Sequence, residues 1–361
     1  MKKVITIVLA LAMVLCLFAG CASKPAAPEG ETPAAPESGA TDIAILVPNA
    51  DHGWTGAVMT YAEAKAKEVN EAGTYSAKVI TSTDSANQIS QIEDLIENKS
   101  AKSVVILPYD NTLESTLKKL ADSGIPFVMF DRVIDAVAGA AVASVKGDNE
   151  GIGIETAKRF LADGMKPGDK ILIMPGDNSS VPESRNKGFF DTLLANGWTQ
   201  EQVDAIESTA YTGWSRSEGK KLFTEWLDAH TVDEINEYDY IFTHDDEIAM
   251  GILEALKSSD LDEAKKAAFL RAEVSLGTSS GLNEMYSVLK GIHQKDYSAE
   301  VSGLKDLFSV TYDPAMIQTA VQDMVDNLDG KTVTKDHVIA VGVVDATNVG
   351  EYQGFGDAVS K

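Results

Sequence analysis

The sequence predicts an α/β protein built on parallel sheets and divided into two similar lobes, and three observations carry that prediction. From Ile43 onward, short apolar runs alternate with amphipathic helical stretches, the order of repeated β-α-β units. Beyond the first 41 residues about 320 remain, enough for two domains of ordinary size with a core each. The two halves of that body read as successive versions of one β-α plan, with no tandem repeat at a short period.

At the N-terminus, Lys2 and Lys3 precede an apolar core from Val4 to Phe18, and the small residues Ala19 and Gly20 precede Cys21. Residues 1–20 therefore read as a secretory signal, too short for a spanning helix with a proper downstream flank. The end Leu17-Phe18-Ala19-Gly20-Cys21 resembles a bacterial lipobox, with Phe18 where leucine is usual. That resemblance implies cleavage before Cys21 and lipid modification of its thiol. Cys16 leaves with the signal, so the mature chain keeps one cysteine and forms no internal disulfide. Two or three acyl chains hold a protein stably on a membrane surface where a single chain is marginal. Residues 21–41 continue in Ala, Pro, Glu, Ser and Gly, an extended tether whose ~20 residues at about 3.1 Å each reach ~60 Å as polyproline II.

The net charge is −24, and loss of Lys2 and Lys3 leaves 29 basic against 55 acidic side chains, a mature charge of −26. So acidic a chain is unsuited to nucleic acid and to direct adhesion on anionic lipid.

Strands are predicted at Ile43–Val47, Ala77–Thr81, Ser103–Leu107, Pro126–Phe130, Ala141–Val145, Lys170–Met174, Val203–Glu207 and Tyr238–Thr243, with a later one at Leu307–Tyr312. Helices are predicted between them, at Trp54–Val69, Gln88–Glu97, Leu113–Ala121, Ile152–Leu161, Arg185–Leu194, Ser217–Leu227 and Ile248–Leu256. The run Pro126 to Phe130 is apolar throughout, enters through Gly124-Ile125-Pro126, and ends in Asp131-Arg132. Ligands in open α/β sheets sit beyond the carboxyl ends of the strands, so this acid and base are candidates to grip vicinal hydroxyls. A solvated ion pair capping the strand is the competing reading.

An ordered set of motifs carries a family resemblance. Ile45-Leu46-Val47 is followed by Asp51-His52-Gly53-Trp54, then Ile125-Pro126 through Asp131-Arg132, Gly147-Asp148-Asn149, Arg185-Asn186-Lys187-Gly188-Phe189, and Asp245-Asp246-Glu247-Ile248-Ala249-Met250-Gly251. This pattern resembles the ribose-binding-protein branch of the type I periplasmic sugar-binding family, over about Asp42 to Asn348. The resemblance implies two Rossmann-like lobes joined by three hinge crossings, residues 42–147 plus 313–341 and residues 148–312 plus 342–361. It implies a monomer on the outer face of the cytoplasmic membrane that closes over a monosaccharide or polyol and delivers it to the permease of an ABC importer, without a cofactor.

Carried over by position, Asp51, His52 and Trp54 are first-lobe contacts, Trp54 stacking on the sugar. Asp131 and Arg132 form the hydroxyl-binding pair, Arg185 is the second-lobe arginine, and Trp214 stacks on the other sugar face. Asp245 stands where the ribose binders have asparagine, and Tyr312 replaces a glutamine beside the hinge. Aromatic plates and charged groups suit the C–H faces and hydroxyl rims of sugars. Read alone, Trp54 and Trp214 are core tryptophans, and Arg185 is a helix-face salt bridge. Asp245, Asp246 and Glu247 suit a first helical turn, and only Asp245 of the three is expected to face the cleft.

Two departures bear on the ligand. Where the ribose binders end a strand in Gly-Phe-Asp, this chain reads Glu273 to Gly281 with no aspartate, so Thr278 or Ser279 is the expected contact. Residues 292–306 read as an insertion, either a lid or an importer-facing loop.

A secreted hydrolase is the alternative. Gly277-Thr278-Ser279-Ser280-Gly281 satisfies G-x-S-x-G, precedes a helix at Leu282–Leu289, and is followed by Asp336 and His337 in hydrolase order. A glycine-bounded turn accounts for the same residues, and nothing earlier resembles an oxyanion loop. A glycosidase would set Asp131 across a cleft from Asp245. The five histidines have no metal-binding spacing.

Overall fold

Successive residues of a strand point to opposite faces of its sheet, and in the first strand both faces are apolar. Ile43, Ile45 and Val47 join one buried cluster, while Ala44 and Leu46 join another. A strand buried on both sides belongs in a parallel sheet layered between helices. The chain is described here by a computed structural model over residues 40–49, 53–292 and 295–356. The signal, Cys21 and nearly all of the tether, together with Asp51 and His52, lie outside the described residues.

Twelve strands occur among the described residues. In chain order they are β1 (Thr41–Pro48), β2 (Ala77–Ser82), β3 (Ala101–Ile106), β4 (Phe127–Phe130), β5 (Ala143–Gly147), β6 (Lys170–Met174), β7 (Glu207–Ser208), β8 (Tyr238–Thr243), β9 (Ser275–Ser280), β10 (Asp306–Thr311), β11 (Asp336–Ile339) and β12 (Val343–Val344). One sheet runs β11-β5-β4-β3-β1-β2 and the other β12-β10-β9-β8-β6-β7. Both halves thus share one winding order, and every pairing is parallel except β10 with β12. The reversal of winding lies between β1 and β3 in one sheet and between β6 and β8 in the other, where doubly wound sheets open a crevice.

The chain passes between the sheets three times: from β5 at Gly147 to the helix Asn149–Ala162, from β10 at Thr311 to the helix Met316–Leu328, and from β11 to β12. Each sheet with its helices is a lobe, and both lobes lie within one compact unit. Asp148 caps the first helix after a crossing by accepting from Gly151 N–H at 2.8 Å. That helix lies against Ser180–Ala195 at unusually close range. A Cβ on Gly153 would overlap the Arg185 carbonyl oxygen, and one on Gly188 would overlap that of Glu150. The two glycines therefore set the backbone spacing that brings Asn149 to Arg185.

Two local expectations are corrected. Val203 lies in a helix, Gln200–Asp204, because Thr199 and Gln202 form a capping box, and the predicted strand shrinks to β7. From Asp296 onward the predicted insertion is folded onto the second lobe. Tyr297 is buried, Lys257 Nζ donates to the Asp296 carbonyl, and the short helix Ser298–Ser302 packs on the helix Asp246–Lys257. Its apolar side chains give it a packing role in the second lobe instead of a lid.

Candidate functional site

The carboxyl ends of the strands converge on a cavity of about 390 Å³. Its first-lobe wall is Trp54, Thr55, Leu107, Asp131 and Arg132, and its second-lobe wall is Val181, Arg185, Trp214 and Asp245. Tyr312, on the crossing that leaves β10, lies between the walls.

Tyr312 ties the two lobes together. Its hydroxyl donates to Asp131 Oδ1 and accepts from Asn149 Nδ2 at 3.0 Å, and its carbonyl accepts from Trp54 Nε1 at 2.9 Å. A Cβ on Gly147 would overlap the Tyr312 ring, so that strand end has to be glycine. Burial holds the Tyr312 hydroxyl well above the usual phenol range, reinforced by the charge of Asp131. Trp54 stacks on Phe130, centroids 6.1 Å apart and planes within 7°, so it is anchored as well as cavity-facing.

Arg185 is buried among acceptors. Its Nε donates to Asn149 Oδ1 at 3.0 Å, and its Nη1 donates to the His244 carbonyl and to Ser279 Oγ at 3.0 Å. The guanidinium carbon lies 5.4 Å from the Trp214 ring centroid and 4.9 Å from that of Tyr312. Among the described residues Nη2 is the nitrogen left over. Trp214 in turn needs Gly176, where a Cβ would overlap its indole, and adopts the left-handed region at φ 61°. A residue held there at a cavity wall is a candidate for stored strain in the service of binding.

Asp131 also sits in the left-handed region, at φ 61°, a conformation that aspartate tolerates better than most residues. Burial pushes its carboxyl up, against the opposing pull of Arg132 and of the Tyr312 hydrogen bond. Asp245 caps the helix Asp246–Lys257 by accepting from Glu247 N–H at 2.8 Å, and burial raises its carboxyl well above the usual range, with Asp246 adding repulsion. Of the acidic trio Asp245 alone lines the cavity. Asp246 accepts from the Gly281 and Leu282 amides, and Glu247 pairs with Arg216 at 2.6 Å.

Arg132 is more occupied than the sequence suggests. Its Nη1 donates to the Pro108 and Tyr109 carbonyls, and its Nη2 reaches Asp177 Oδ2 of the other lobe at 3.0 Å. Its Nε and the Trp214 Nε1 are buried without a hydrogen-bond partner among the described residues. Buried donors left unpaired in a cavity wall call for an explanation, and a bound ligand provides one.

Thr278 and Ser279 stand apart from the cavity. Strand β9 continues through them, paired with β10, and both are fully buried. Ser279 Oγ donates to the His244 carbonyl at 2.9 Å and accepts from Arg185, so it positions the arginine and does not face a ligand. The same facts remove the serine-hydrolase reading. Ser279 is inside a strand and not on a turn, while His337 lies on β11 in the other sheet with Asp323 at 3.1 Å. Asp177, Thr55, Leu107 and Val181 have no place in the sequence motifs, and Asn149 stands in one of them without a site role. Asn149 follows directly on the Gly147-Asp148 step; the others carry no local signal.

Comparison with known proteins places these features in context. The family model for the periplasmic binding protein domain matches residues 43–332. The ribose import binding protein of Bacillus subtilis is 29% identical over 198 residues, 54% of this chain and 60% of that protein. The fructose import binding protein of Bifidobacterium longum is 26% identical over 273 residues, 74% of each chain. Among solved structures, a galactofuranose binding protein superposes with TM-score 0.69 at 19% identity, covering 86% of this chain and 96% of that one. The Caulobacter myo-inositol binding protein gives 0.68 at 20% identity, covering 88% and 97%. These two likenesses concern the fold.

Proposed function

The chain belongs to the periplasmic binding protein family, and from that membership we propose that it is a receptor that closes around one sugar or polyol and delivers it to an ABC importer. One observation carries the reading: a cavity walled by both lobes, with two aromatic plates and a mixed set of donors and acceptors that keep bonding capacity. Arg132 Nε, Trp214 Nε1 and Arg185 Nη2 are left to donate, and the carboxylates of Asp131 and Asp245 are left to accept. Hydroxyls both donate and accept, so a neutral polyol answers such a mixed set. Relatives named for ribose and fructose import support this class of ligand. Closing the hinge buries the ligand between Trp54 and Trp214, and the permease reads the closed form.

The test is a thermal-shift and titration screen of residues 42–361 against pentoses, hexoses, polyols and nucleosides. A ligand at 100 times its dissociation constant is expected to stabilise the fold by about 2.7 kcal/mol. The same ligand is expected to change tryptophan fluorescence, and Trp214→Ala to remove most of that change and weaken binding at least tenfold. No shift with any of these compounds would sink the reading.

We place the receptor on the outer face of the cytoplasmic membrane as a lipid-anchored monomer, cleaved before Cys21 and held by the tether of residues 21–41. The lipobox-like end and the proline-spaced composition support this. Cys21→Ser is expected to leave the protein unprocessed or to release it from membranes on fractionation, with binding by residues 42–361 unchanged. Full membrane retention of a processed Cys21→Ser protein would overturn the anchor.

A further inference from the structure

Next to the inner cavity lies a second, outer volume, lined by Tyr109 and Thr112 from the first lobe and Asp177 and Asn178 from the second. Three residues face both volumes and form the partition between them: Thr55, Arg132 and Trp214. Asp177 faces the outer volume alone. Resting on the sugar-receptor reading above, we propose that the Arg132–Asp177 ion pair is a size gate, and that Asp177 is the residue that limits the ligand to a single ring.

The pair joins the lobes. Arg132 follows β4 and Asp177 follows β6, with Nη2 and Oδ2 3.0 Å apart and side chains 13% and 28% exposed. Each end is fixed on its own lobe. Arg132 Nη1 is anchored by the Pro108 and Tyr109 carbonyls, and Asp177 Oδ1 accepts from Ser179 N–H at 3.0 Å. The contact therefore forms only when the lobes are together, and it places the guanidinium between the two volumes. Behind it the cavity is walled on both sides, by Trp54, Leu107 and Asp131 of the first lobe and Val181, Arg185 and Asp245 of the second. A ring that carries a second ring on its Arg132 side has to project past the guanidinium. That displaces the guanidinium and leaves a partly desolvated Asp177 without its partner, a cost that a single ring avoids. Arg132 Nε, buried and without a partner among the described residues, is left for a ligand while Nη2 holds the gate.

The test pairs single-ring probes with extended forms: D-ribose with adenosine, D-xylose with xylobiose, D-fructose with sucrose, D-galactose with lactose, and myo-inositol with galactinol. Titration calorimetry on the wild type is expected to show the best single-ring probe binding at least tenfold tighter than its extended form. Asp177→Ala is expected to cut that ratio at least fivefold and to speed release of the single-ring probe in stopped flow. Asp177→Asn keeps an acceptor for Ser179 and is expected to behave similarly, so a loss caused by the loop alone is separated from a loss of the charge. An extended form binding the wild type as tightly as its single ring overturns the gate, as does an unchanged ratio in both variants. Absence of binding by every compound of the screen described above overturns the receptor reading itself, and the gate with it.

Discussion

Arg185→Ala is expected to reduce affinity for the best ligand of the screen by at least a hundredfold. The guanidinium is a buried positive charge in the second-lobe wall, and it balances Asp131 and Asp245, both of which burial already pushes toward the neutral form. Its removal takes away the Nη2 donors, each charge-assisted hydrogen bond contributing roughly 1.5–3 kcal/mol. It also leaves Asn149 Oδ1 without its donor, while the His244 carbonyl keeps Ser279 Oγ, and an unpaired buried acceptor costs about 1–3 kcal/mol. Arg185→Lys is expected to recover less than tenfold of the loss, because an ammonium has no planar fork to reach Asn149, Ser279 and the ligand together while lying between two rings. Calorimetry on variants with cooperative urea transitions checks this. Affinity within threefold of the wild type would make Arg185 a structural arginine only.

At Asp131 two substitutions are expected to separate. The carboxyl is buried and its pKa is raised in the fold, so above the unfolded pKa the ionised form opposes folding, and a neutral replacement relieves that penalty. Asp131→Asn also suits φ 61°, since asparagine visits the left-handed region as readily as aspartate. The apo protein at pH 7 is therefore expected to melt at or above the wild-type temperature, while affinity falls ten- to a hundredfold through loss of charge-assisted acceptance, about 1.4 kcal/mol per tenfold. Asp131→Ala is expected to lose at least as much affinity and to melt lower, because alanine is strained in the left-handed region by roughly 1–2 kcal/mol and the Tyr312 hydroxyl loses its acceptor. If Asp131→Asn lowers the apo melting temperature and leaves affinity unchanged, the carboxylate is a strand cap and not a ligand contact.

Those two residues also show how far local reasoning reaches. Asp131 stood out because an apolar run ends there in a charge, and a doubly covered strand can place a charge only at its end. Asp245 stood out as the first acid of a helical start, and an N-cap projects from the strand-to-helix turn that borders the crevice. Thr278 and Ser279 misled for the converse reason. A glycine-flanked Ser/Thr run reads as a turn, yet parallel partners on both sides keep it a strand through Gly277, and that pairing is formed with residues more than thirty positions away.

By itself the sequence determined the α/β class, the parallel sheets and the strand ends that face the crevice, because apolar periodicity and the placement of charges are properties of neighbouring residues. Only the tertiary structure decided which polar groups are already satisfied. Arg132 is held by Asp177, and Arg185 by Asn149, His244 and Ser279. Those partners lie between 36 and 94 positions apart in the chain, on different elements or on different lobes. A hydrogen bond depends on the approach of two atoms to about 3 Å, and for such pairs the approach is set by how helices and lobes pack, through backbone contacts such as Gly153 on Arg185 that leave no periodic trace in the sequence.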